Sequence, residues 1–113
     1  MDLPTAQEML VEIEVETRGR RDLEDLKTDL FWAALRYART RSEWSLLDRE
    51  ERNRGEAART IQHKCLIDAC DILARAARGK GLQAAWRDRL GRDRKETGDF
   101  ACLLSAVLGL RSR

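Results

Sequence analysis

From Leu23 to Leu47 the apolar positions recur at alternating intervals of three and four, through Leu26, Leu30, Ala33, Tyr37, Thr40 and Trp44. That spacing keeps one side of a helix apolar and predicts a long helix over about residues 22–51. Asp22 can cap its start, and Asp25 and Asp29 suit the positive end of the helix dipole. The next stretch, DREERNRGE at 48–56, has no apolar residue, and Asn53 and Gly55 are natural at a helix end and reversal. A second helix over about 56–78 follows and ends at Gly79. The two read as a helical hairpin. One unbroken helix is the alternative, because Ala58, Ile61 and Cys65 hold the earlier phase.

Beyond Gly79, the residues Leu82, Ala85, Trp86 and Leu90 share one face of a short amphipathic helix stopped by Gly91. RDRKETGD is a polar connector in which Thr97 or Asp99 can cap the last helix. That helix, FACLLSAVLGL at 100–110, is apolar nearly all round and is expected to lie centrally. At the other end MLVEIEVE alternates as an edge strand does, while Ala6, Met9, Leu10 and Ile13 fit a helix equally well. A lone strand has no partner in a helical monomer, so residues 1–16 are expected to be helical unless they pair with their copy in a second chain.

Composition agrees with the pattern. The chain is 42% hydrophobic and 37% charged with a single proline, and β-branched residues are scarce after Val15, which favours an all-α fold. The expectation is one domain, residues 1–113: an antiparallel helical bundle of four to five helices built on the hairpin of about 22–51 and 56–78. Its longest apolar run, Phe100 to Leu110, is too short to cross a bilayer. MDLPTAQEM has neither a basic start nor an apolar run, as a secretory signal would. An odd number of cysteines, three, without such a signal points to reduced thiols in the cytoplasm.

The net charge of +2 hides an asymmetry. Residues 1–16 carry acids and no base, whereas residues 75–95 are strongly basic. Within the latter, Arg87, Arg89, Arg92, Arg94 and Lys95 beside Trp86 have the composition of a nucleic-acid surface. A solvated face, or a match to the acidic N-terminal segment of a partner chain, is favoured over that reading, because Trp86 belongs to an apolar face and no helix-turn-helix pattern is present.

The stretch HKCLIDACDILAR at 63–75 gathers the only histidine, two cysteines and two aspartates. On a helix these residues diverge. His63 and Cys65 point about 160° apart and Cys65 and Cys70 about 140° apart, so no shared metal centre forms. Ile61, Cys65, Ala69, Ile72 and Ala76 make one apolar face, with Leu66 and Leu73 beside it, and His63, Ile67, Cys70 and Ala74 make a second seam nearly opposite. The helix is therefore expected to be buried on two sides, either between helices of the bundle or between the bundle and another subunit, with Cys65 in the core.

Asp68 and Asp71 can hold magnesium jointly, as in small all-α nucleotide pyrophosphatases, but Lys64 and Arg75 flank them at helical spacing and would neutralise them. Glu43 is the carboxylate level with His63 for an acid–base pair. No nucleophile motif, phosphate loop or glycine fingerprint is present. Around Tyr37 and Trp44, the arginines Arg36, Arg39 and Arg41 give the composition of interface hot spots.

Taken together, the residues point away from an enzyme and towards a small cytoplasmic binding or regulatory module that forms a homodimer. The expected interface is Tyr37, Trp44, His63, Ile67, Cys70 and Ala74, with a further protein partner possible and no membrane partner. Nucleic-acid binding through Arg87, Arg89, Arg92, Arg94 and Lys95 is one alternative. Magnesium-dependent nucleotide hydrolysis through Asp68 and Asp71 is a second. Neither a cofactor nor a catalytic residue is assigned.

Overall fold

Two helices, α2 (Arg21–Trp44) and α3 (Arg49–Gly79), form the hairpin around which the chain is organised. The computed structural model describes residues 1–111, with side chains up to Gly109. Three further helices complete the described chain: α1 (Leu3–Thr17), α4 (Ala85–Arg89) and α5 (Arg94–Arg111). The fold is thus the all-α antiparallel bundle that the hydrophobic periodicity predicts, and residues 3–17 are helix rather than strand.

The apolar stripe of α2 faces inward as its spacing requires. Leu23, Leu30, Ala33 and Tyr37 are buried, and the Thr40 hydroxyl donates to the Arg36 carbonyl at 2.9 Å. The reversal, however, lies at residues 45–48 rather than 48–56. Asp48 accepts from the Glu51 amide at 2.8 Å while Glu51 accepts from the Asp48 amide at 3.1 Å, a reciprocal capping box that starts α3 before Asn53 and Gly55. Arg and Glu are good helix formers, so the polar stretch continues as solvated helix instead of breaking it. Arg52 reaches back to the carbonyls of Trp44 and Ser45, both at 3.2 Å, and closes the end of α2.

Small differences of the same kind occur elsewhere. Asp22 does not cap α2, whose N-cap residue is Arg20; it pairs instead with Lys80 at 2.8 Å, across the far end of the hairpin. α5 starts at Arg94, where Asp93 accepts from the Glu96 amide at 2.8 Å, six residues before Phe100. The segment after Gly79 is helical only over Ala85–Arg89. Ala84 before it has a left-handed backbone (φ +49°), and its amide donates to Glu16 of α1 at 3.0 Å.

In cross-section α2 lies between α3 and α5, and α1 covers α2 and α5. α5 is therefore not the central helix. Phe100, Ala101 and Leu104 are buried, whereas Cys102, Leu103, Val107 and Leu108 are half-exposed; Leu110's side chain lies outside the described residues. No helix among the described residues is long and apolar enough to cross a membrane.

Candidate functional site

Of the two apolar faces of α3, the Cys65 face expected in the core is turned outward, and the seam of His63, Ile67, Cys70 and Ala74 packs within the bundle. Its buried residues are Leu66, Ile67, Cys70, Leu73, Ala74 and Ala77. Leu66 and Leu73 belong with the Cys70 side and give it a seam of 66, 70, 73 and 77. This arc covers His63, Ile67, Cys70 and Ala74 with the chain's own α2 and α5. Tyr37, Cys70, Ala74 and Ile67 are 0%, 0%, 2% and 7% exposed, so they are core of the monomer rather than a surface for a second subunit. Trp44 is half-buried at the hairpin tip, with the Arg59 guanidinium 4.7 Å above its ring.

His63 sits at the edge of this core. Its Nε2 lies 2.9 Å from the Thr97 hydroxyl, whose single proton goes to the Asp93 carbonyl at 2.7 Å. His63 therefore donates through Nε2, and its ring stands 5.5 Å from that of Tyr37. Burial, then the charges of Arg94 and Arg59, push the imidazole pKa below its usual value. Glu43 does not approach it; that carboxylate pairs with Arg39 at 3.0 Å.

The basic segment is tied to acids of the same chain. Buried Arg87 donates to Asp71 at 2.7 Å and to the Leu90 carbonyl at 2.6 Å, and Arg92 reaches the other oxygen of Asp71 at 2.8 Å. Arg89 spans Glu8 and Glu12 of α1 at 3.4 and 2.7 Å, and Arg94 pairs with Glu56. The match between acidic N-terminus and basic segment is made within one molecule. Of the five basic residues considered for nucleic acid, only Lys95 has no ion pair among the described residues.

The aspartates are separated in the same way. Asp68 is held by Lys64 at 2.9 Å, while Asp71 lies between Arg87 and Arg92. Burial alone would raise the Asp71 pKa, but the two guanidinium hydrogen bonds outweigh it and keep the group ionised. Both carboxylates are thus neutralised by neighbouring bases. No group of three or more potential metal ligands occurs among the described residues. Burial pushes the Cys70 thiol up to about 12, which removes it as a nucleophile.

The fold leaves exposed apolar residues on α1, at Val11 and Val15, and on the outer side of the hairpin. Ile61, Cys65 and Ile72 of α3, expected inside, are exposed, and Trp32 of α2, which shares a groove with Cys65 and Ile72, is 58% exposed. Leu26, Trp32, Ala33, Ala69 and Ile72 form the apolar walls of a groove of about 370 Å³ between the two helices. Asp29, Arg36 and Asp68 stand at its margins. Exposed aromatic and branched side chains are thus gathered in one groove rather than scattered singly.

Comparison of the chain with protein-family models, with curated proteins and with solved structures finds no match. The functional reading therefore rests on this surface. Sequence reasoning passed over Trp32 because it lies off the buried stripe. The usable signal was a second, parallel stripe on α2, Asp25, Asp29, Trp32, Arg36 and Arg39, with a large aromatic at its middle.

Proposed function

We propose that this chain is a small binding or regulatory module that acts in the cytoplasm through protein–protein contact, as a homo-oligomer, and that the α2–α3 groove is its contact surface. The observation that carries this reading is that Trp32 and Ile72, 58% and 48% exposed, line one groove between the two hairpin helices. Their cover is worth having: burying one large apolar side chain gains about 1.5–3 kcal/mol. Three unpaired cysteines support a reducing compartment. Protein contact ranks above nucleic acid because Arg87, Arg89, Arg92 and Arg94 already neutralise acids of the chain, leaving little charge for phosphate. It ranks above magnesium chemistry because Asp68 and Asp71 are each paired with bases.

Light scattering at tens of micromolar chain tests this directly. A dimer is expected for the native chain. Trp32→Asp should weaken association by about 2 kcal/mol or more, about 30-fold in Kd, with the helical circular dichroism unchanged. A native chain that stays monomeric overturns homo-oligomerisation.

A further inference from the structure

The outer stripe of α2 has a charge order that matches its own reverse. Asp25 and Asp29 precede Trp32, and Arg36 and Arg39 follow it, at intervals of four, three, four and three. All five side chains are exposed. Asp29 and Arg36, which stand at the groove's margins, have no ion-pair partner among the described residues. Arg39 contacts only Glu43 one turn along, at 83% side-chain exposure, where such a pair is worth little and is readily exchanged.

We infer that the occupant of the groove is a second copy of this chain, its α2 lying antiparallel on the first across a two-fold axis at Trp32, so that Asp29 of each copy meets Arg36 of the other. This rests on the reading of the α2–α3 groove as a contact surface and adds the partner and the register. A two-fold contact must be self-complementary, every residue on one side meeting its mate on the other. A stripe with both acids before the central aromatic and both bases after it satisfies this in the antiparallel direction: Asp29 falls opposite Arg36, and Asp25 opposite Arg39. The parallel direction sets acid on acid and base on base.

The size of the face is consistent with such a dimer. α2 has 24 residues, so at about 1.5 Å each it runs about 36 Å. Two helices packed about 10 Å apart are about 20 Å across, giving a face of about 700 Å², close to the ~800 Å² that each partner contributes to a standard interface. On α3 the acid beside the groove, Asp68, keeps Lys64 at 2.9 Å, so two bare carboxylates are not brought together.

Charge reversal, read by sedimentation equilibrium of the full chain, tests the register. Asp29→Arg and Arg36→Asp, each alone, place like charges opposite each other at both symmetry-related contacts, and each should raise the dimer Kd at least tenfold. An equimolar mixture of the two variants brings arginine opposite aspartate at both contacts and should restore dimer as a heterodimer. Circular dichroism of each variant verifies that the helices are intact. If the native chain dimerises and mixing restores nothing, the antiparallel α2 register is overturned while the contact surface stands. Rescue of Asp29→Arg by Arg75→Asp instead would assign α2 to the partner's α3. If the native chain is monomeric, the inference falls together with homo-oligomerisation.

Discussion

The Tyr37 hydroxyl is buried beside His63 and has no hydrogen-bond partner among the described residues. A buried polar group left unpaired costs about 1–3 kcal/mol, so Tyr37→Phe should stabilise the protein, by about 1 kcal/mol, in urea unfolding. His63 gives the opposite lesson, a polar group that has its hydrogen bond but whose burial disfavours the charged form. Thr97 receives its Nε2 proton, Arg94 and Arg59 oppose a positive charge, and only Asp93 favours one. Its folded pKa lies below the unfolded value near 6.5, so the unfolded chain binds the proton first. Stability is therefore fully present above about pH 6.5 and is lost as pH falls from there through the folded pKa. The drop in unfolding free energy between pH 7.5 and 5 should be reduced in His63→Gln; an unchanged slope would assign it to other groups. This window is distinct from that of Asp71 and Asp99, whose lowered pKa values put their loss below about pH 3.8.

At the level of elements, the hairpin was legible and its turn was not. Asp48 and Glu51 carried the capping box in plain view, but the polar run to Glu56 and the pair Asn53 and Gly55 drew the boundary later. The helix wins there because every residue from 49 to 54 except Asn53 is a good helix former, while a single glycine in a helix costs only about 1 kcal/mol. Gly55 packs against Trp44, and a Cβ would lie 3.6 Å from the indole, ordinary contact. Gly55→Ala should accordingly raise stability by about 0.5–1 kcal/mol, read as a higher melting temperature. For α3 the pattern offered two apolar stripes of similar hydropathy. Which one turns inward depends on what α2 and α5 present: Tyr37 and Phe100 are large and fully buried, and the small Cys70, Ala74 and Ala77 leave room for close packing. Neighbours that come from distant sequence decide this, so periodicity along one helix does not.

For the whole molecule, the acid–base asymmetry of the sequence is spent on holding α1 to the α4–α5 region through Arg89, Glu8 and Glu12, and Met1's amino group to Asp99. Segmental charge was readable from the sequence; that the two segments belong to the same copy was not. The outer hairpin is left uncovered, and there Trp32 stands between Asp29 and Arg36, charges of opposite sign with no ion pair among the described residues. Homodimerisation through that face is the central claim, and sedimentation equilibrium of the native chain beside Trp32→Asp tests it most directly. The native chain should sediment with twice the monomer mass of 13.0 kDa at tens of micromolar, and the variant with the monomer mass. A native chain of monomer mass, or a dimer indifferent to Trp32, would contradict it.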